Sequence, residues 1–326
     1  MTAKIIHIVD DGFEEALQAA CAVLAKGLPI AIPTETVYGL AADATDPLAI
    51  ARIYETKGRP QFNPLICHVS DLAMAERFAN FDPISRHLAE TFWPGPLTLI
   101  LPLKADSGIH ALATAGLETV GLRVPRGFAA ALIRAFDRPL AAPSANTSGR
   151  ISPTSAQHVA EDLGGKIDLI IDGDAAPVGV ESTIVRVEGE TIRLLRPGGI
   201  SAEELEAATG LPIVRPTSPS ATIEAPGMLA SHYAPTASVR LDAREVMPGE
   251  ALISFGGGSV SGDDRATVIL ELSPAGDLRE AAANLFDYLK KADAATEVGI
   301  AVMPIPKHGL GEAINDRLSR AAASRP

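Results

Sequence analysis

The sequence predicts an α/β fold in two unequal parts, joined by a tether of different texture. Three observations carry this expectation. Short apolar runs of strand length alternate with stretches of helical periodicity along most of the chain. Residues 211–237 break that rhythm with many Pro, Ser, Thr and Ala residues. The alternation then resumes on a smaller scale to the end. The expected division is 1–210, a tether at 211–237 and a small unit at 238–326.

In order, Phe13, Ala16, Leu17, Ala20, Cys21 and Leu24 repeat at helical spacing, and Gly27 stops that helix. Ile30–Ile32 reads as a buried strand. Asp46-Pro47 is an N-cap with proline at the first helical position, and Gly58 ends the helix after Lys57. Leu65–Val69 is a second buried strand. Asp82-Pro83 starts a helix that ends at Trp93-Pro94-Gly95, and Leu97–Leu103 and Thr119–Val124 are strands. Ser152-Pro153 is expected to open a helix that stops at Gly164-Gly165, before a strand at Ile167–Ile171. Ser182–Val187 and Thr191–Leu195 form a hairpin around Glu188-Gly189, and Ser201 with Glu204 is a capping box. The small unit offers strands near 251–255, 266–272 and 298–304 and helices near 277–292 and 311–322.

The composition narrows the function. The chain has 326 residues, 47% hydrophobic and 21% charged, enough to bury a substantial core. Aromatics are only 4%, which weighs against a stacking platform for single strands. A net charge of −12 weighs against a dedicated nucleic-acid binder, so any nucleic-acid contact is expected to be local or indirect. The two cysteines, Cys21 and Cys67, sit in apolar patterns and read as buried thiols, and no CxxC pair suggests structural zinc. The N-terminus lacks a signal-peptide layout and no apolar run approaches spanning length, so a cytoplasmic protein without membrane contact is expected.

Polar clusters punctuate the first part. PTETVYGLAADA follows a strand with Thr34, Glu35, Thr36 and Tyr38. KGRPQFNPLICHV sets Lys57 and Arg59 around a helix end, then Asn63, then His68 inside an apolar strand. Dipole pairing and a turn would explain the first two features, and a histidine inside an apolar strand is more often a satisfied core residue than a catalytic one. Arg123 alternates with apolar neighbours, so it either faces water or pairs with a buried anion. APSANTSGRISPT crowds Ser144, Asn146, Ser148 and Ser152 before a helix N-terminus, a composition suited to phosphate oxygens or simply to a capped loop. GVESTIVRV and LLRPGG place Ser182, Thr183 and Arg196 at the ends of one hairpin. Together these put cations and hydroxyls at element ends, where α/β proteins build sites. No Walker A, nucleophile-elbow or zincin motif occurs, and the Gly256–Ser259 run lacks the lysine of a phosphate loop.

PTETVYGL, KGRPQFNPL, WPGPLT, Arg123-Val124-Pro125, APSANTSG, GVESTI, LRPG and APGMLASHYAP stand in an order that resembles the two-domain threonylcarbamoyl-AMP synthases. That resemblance covers nearly all of the first part and the tether. It implies a YrdC-like twisted mixed sheet with helices, followed by a smaller Rossmann-like α/β domain. It implies a nucleotidyltransferase that makes L-threonylcarbamoyl adenylate and pyrophosphate from ATP, L-threonine and bicarbonate. The product would feed the tRNA threonylcarbamoyl-transferase machinery. By the same resemblance Lys57, Arg59, Asn63, Thr119, Ser144, Asn146, Ser152, Arg196 and Tyr233 would meet ATP, and Thr36, His68, Arg123 and Ser182 would hold threonine. Lys57, Arg59 and Arg123 would carry the catalytic charge. Mg2+ is expected with the triphosphate. Arg186 stands where family members often have Asp.

Two competitors remain at this level. A carbamoyl-transfer enzyme of hydrogenase maturation shares the module but would need a longer chain with cysteine clusters. A non-catalytic RNA-binding or ribosome-associated module is disfavoured by the charge and the scarcity of aromatics.

Overall fold

The computed structural model describes residues 2–8, 12–216, 223–228 and 232–323. Leu229, Ala230 and Ser231 of the APGMLASHYAP segment lie outside the described residues.

In the larger part, strands β1 (Lys4–His7), β2 (Ile30–Ile32), β3 (Gly39–Asp43), β4 (Ile66–His68), β5 (Leu97–Pro102) and β6 (Thr119–Arg123) share one mixed sheet with β7 (Leu140–Ala141), β8 (Leu169–Asp172), β9 (Thr183–Glu188), β10 (Thr191–Arg196) and β11 (Ile213–Val214). The order is β1-β8-β2-β3-β7-β4-β6-β5-β9-β10-β11. Helices α1 (Phe13–Leu24), α2 (Pro47–Lys57), α3 (Leu72–Phe78), α4 (Pro83–Phe92), α5 (Ala111–Thr114), α6 (Phe128–Phe136), α7 (Ala156–Leu163) and α8 (Ala202–Thr209) connect its strands. The smaller part is a parallel sheet of β12 (Ser238–Arg240), β13 (Ala251–Ser254), β14 (Ile269–Glu271) and β15 (Gly299–Val302), in the order β12-β15-β13-β14. Helices α9 (Leu278–Ala295) and α10 (Leu310–Ala322) pack with it.

The local chemistry follows the sequence at most boundaries. Asp46 caps α2 by accepting from Leu48 N, and Gly58 closes it at φ 59°. The Ser201/Glu204 box opens α8. One expectation fails. α7 starts at Ala156, capped by the Ser155 hydroxyl, and not at Ser152-Pro153. The Ser152 hydroxyl is committed to Glu181, and the Pro153 carbonyl accepts from Tyr38 N, so that stretch stays outside the helix. The tether also begins later than its composition suggests, because Ile213–Val214 adds an edge strand beside β10.

The small part is docked, not merely tethered. One core cluster joins Val37, Ile151 and Val180 of the larger part to Phe286, Leu285 and Ile314 of α9 and α10. At Gly179, φ +75°, an added Cβ would lie 2.2 Å from the Ala282 carbonyl oxygen of α9. Only glycine allows the two backbones that close. The tether is held at Glu224 and Ala225 as well. Glu224 accepts from both Arg186 and Arg193, and Ala225 is buried in a cluster with Ile66, Ile100, Ile184 and Leu195. Arg186 is therefore an outward strand residue that grips the tether, and it brings no charge into the interior.

Candidate functional site

Parallel pairing of β4 with β6 sets His68 opposite Arg123 where both strands end. In α/β sheets the carboxyl ends of parallel strands are where ligands collect. An enclosed space of about 50 Å3 lies there. Its wall takes Thr36 from the β2–β3 turn, Arg59 from the loop after α2, and Ser144 from the loop after β7. Glu181, Ser182 and Arg196 come from the β9–β10 hairpin and its approach. Pro226, Gly227, His232 and Tyr233 of the tether close the remaining side.

Arg123 resolves its own ambiguity, because it pairs with a buried anion. Its Nη2 lies 2.7 Å from Glu35 Oε1, its Nη1 donates to Thr36 Oγ1 at 2.9 Å, and its Nε donates to the Gly95 carbonyl at 3.2 Å. Burial alone would raise the Glu35 carboxyl, but Arg123 and the Arg126 N–H outweigh it and hold it below the usual range. Arg196 donates twice to the Ser182 carbonyl and once to its hydroxyl, which is also paired with Thr98 Oγ1 at 2.8 Å. Arg59 is bound to the Asn63 and Pro64 carbonyls, so it shapes the loop it belongs to.

Thr36, Arg59, His68, Arg123, Ser144, Ser182, Arg196 and Tyr233 thus meet at one space. Five other residues named from the sequence do not line it. Lys57 is buried and donates at 2.5 Å to the carbonyls of Ser144 and Asn146, pinning their loop. Burial, with Arg59 beside it, holds its ammonium well below the usual lysine range. Asn146 uses its amide N–H groups on the Thr147 and Arg150 carbonyls, and its Oδ1, like that of Asn63, is buried without a hydrogen bond. Ser152 donates to Glu181. Thr119 stands at the far end of β6 from Arg123, and extending the β4–β6 register places it opposite Pro64.

The tether is shaped to fit. Gly227 has φ +86°, and a Cβ there would lie 2.8 Å from Arg196 Cδ. Tyr233 has φ +61° and is fully buried. Its ring stacks on Phe286 of α9 with centroids 5.5 Å apart.

Two family models match the chain. Residues 22–198 match the Sua5/YciO/YrdC model, described as telomere recombination, and residues 200–323 match the C-terminal domain of threonylcarbamoyl-AMP synthase. The chain belongs to the Sua5/YciO/YrdC family. It is 39% identical to the threonylcarbamoyl-AMP synthase of Pyrococcus abyssi, over 98% of each chain. It is 42% identical to that of Bacillus subtilis, over 94% of this chain and 92% of the other. The crystal structure of P. abyssi Sua5 complexed with L-threonine superposes with a TM-score of 0.87, at 38% identity and 98% coverage of both chains.

Within this family frame, three buried charged residues at or beside the site are not among the site candidates the sequence predicts. They are Glu35, Glu181 and Arg317. Glu35 sits inside the PTETVYGL motif and Glu181 beside Ser182, so motif membership was the available signal. Arg317 had none. No helix of the described residues is long and apolar enough to cross a membrane.

The buried ionisable groups set an acid limit. Burial, then Arg123, pushes His68 down to about 3. Burial also pushes His232 down to about 3, aided by Arg59, Lys57 and Arg196. Glu181 would be raised by burial, but Arg317, Arg196 and the Ser152 hydroxyl bring it down to about 2. In each case the unfolded chain binds protons at a higher pH than the native one. The stability contributed by these three groups is therefore fully present above about pH 6.5, where an unfolded histidine is neutral. It should decline as pH falls from there, and steepen below about 4.5 as Glu181 enters. Melting temperatures across pH 3–8 check this, and a curve flat down to pH 4 would contradict it.

Proposed function

We propose that this chain makes L-threonylcarbamoyl adenylate from ATP, L-threonine and bicarbonate, releasing pyrophosphate, as a nucleotidyltransferase serving threonylcarbamoyladenosine modification of tRNA. The observation that carries the reading is the meeting of Thr36, His68, Arg123 and Ser182 with Arg59, Ser144 and Arg196 around one enclosed space. It is supported by likeness over nearly the whole chain to threonylcarbamoyl-AMP synthases.

The chemistry fits the residues. The threonine amine condenses with bicarbonate with loss of water, or adds to CO2 with loss of a proton, to give a carbamate. A carbamate oxygen then bonds to the α-phosphorus of ATP as the bond to the β-phosphate oxygen breaks, and pyrophosphate leaves. Such displacement asks mainly for positioning and charge neutralisation. Arg59 and Arg196 supply positive charge on the nucleotide side. Arg123, with Thr36 and Ser182, receives threonine, its carboxylate competing with Glu35 for the guanidinium. A neutral, buried His68 on the wall of the space offers a hydrogen-bonding edge. Lys57 acts through the Ser144–Asn146 loop it holds. Mg2+ would come as part of the nucleotide substrate. Glu35 and Glu181 are already paired with arginines, so the ion would rest on phosphate oxygens.

The test is pyrophosphate release by the purified full chain. Release should require both L-threonine and bicarbonate, and equal turnover with threonine omitted would end this reading. L-Serine should be used roughly 10- to 200-fold less efficiently, the worth of one methyl in a shaped pocket.

A further inference from the structure

Arg317 belongs to α10 of the small part, yet it has no exposed surface and is the largest fully buried side chain. A charge that deep persists only when paired. Its Nε donates to Glu181 Oε2 at 2.8 Å, and its Nη1 to Asp316 Oδ2 at 2.6 Å. Its guanidinium lies 5.2 Å above the Tyr233 ring. Nη2 is buried without a hydrogen bond. Glu181 faces the enclosed space, and its other oxygen accepts from Ser152 at 2.5 Å. One guanidinium from the small part thus touches the carboxylate that orients Ser152 and the ring that closes the site.

We infer that Arg317 is a positioning residue for the nucleotide half of this site, the means by which the small part sets the geometry of the larger one. It keeps Glu181 ionised and aimed, Glu181 fixes the Ser152 hydroxyl, and the same cation holds Tyr233 over the cavity. The Thr36–Arg123 part of the threonine half does not pass through it. Thr36 and Arg123 are held by Glu35, the Gly95 carbonyl and each other. The inference rests on the proposed function for its assignment of halves. It gives a reason for the docked second domain beyond added core.

The test compares Arg317→Lys and Arg317→Met in the full chain. Lysine keeps the charge but cannot serve Glu181, Asp316 and the ring at once. Positioning predicts cooperative melting in Arg317→Lys, a KM for ATP raised about tenfold, and a KM for threonine within about twofold of wild type. Arg317→Met should show the same split, more strongly. A purely structural pin predicts a lower melting temperature with unchanged KM values in the folded protein, and that result would overturn the inference. Should both single variants fail to fold, Arg317→Met with Glu181→Gln removes the two charges together. A raised KM for ATP in that pair supports positioning, and a normal one refutes it. Calorimetric affinity for MgATP is measured alongside. If wild type releases no pyrophosphate, the functional reading fails, while unchanged ATP affinity in Arg317→Lys would separately refute the role of Arg317.

Discussion

Arg123→Ala is expected to abolish threonine-dependent pyrophosphate release and to cost about 3–5 kcal/mol of stability. Both effects come from one arrangement. Arg123 and Glu35 are only 4% and 7% exposed, 2.7 Å apart at their nearest oxygen and nitrogen. Removing the cation leaves Glu35 buried with the Arg126 N–H at 3.0 Å as its remaining anchor. An uncompensated interior charge is among the few defects that cost a domain most of its margin. Pairing Arg123→Met with Glu35→Gln separates fold from function. That double variant removes both charges, so its melting temperature should return towards wild type, while threonine-dependent turnover stays lost. A double variant with restored stability and wild-type turnover would make Arg123 a structural residue only.

The same pair shows what the sequence could and could not disclose. Arg123 between apolar neighbours already required either water or an anion, but which anion needed the sheet. Glu35 lies 88 residues earlier and meets it only because the β2–β3 turn opens over the end of β6. Caps were legible because their chemistry is local, as at Asp46, Gly58 and Ser201. The start of α7 was not, because Ser152 and Ser155 are both competent caps and a distant Glu181 decides between them. β3 reads GLAAD, with little strand propensity, and becomes a strand through burial between β2 and β7. α6 reads FAAALIRAF, too short and too apolar to separate from a buried strand by periodicity. Arg317, in a helix flanked by Asp316 and Arg320, has the pattern of a solvated face. Its burial is a fact of docking alone.

Tyr233→Ala should have the second large effect, on the integrity of the product more than on the fold. The enclosed space measures about 50 Å3, whereas pockets for ligands of nucleotide size run to roughly 300–1,000 Å3. A space of that size does not hold ATP and threonine together, so on the proposed function the tether segment is expected to move when they bind. Three contacts hold it in place at Tyr233: the stack on Phe286, the edge of His232 with centroids 4.1 Å apart, and the cation of Arg317. Truncating a buried aromatic costs about 3–5 kcal/mol, and here that cost falls on the seated segment while the main sheet is untouched. The adenylate is a mixed anhydride that water destroys, and a closed site protects it. The variant should then release pyrophosphate while yielding a larger share of AMP and free threonine than of intact threonylcarbamoyl adenylate. It should also show a raised KM for ATP. Chromatographic product ratios over time make the measurement. Tyr233→Phe keeps the stack and should behave like wild type in both respects, so a defect shared equally by the two would point to the hydroxyl instead. Wild-type product ratios and ATP affinity in Tyr233→Ala would reduce the segment to a tether.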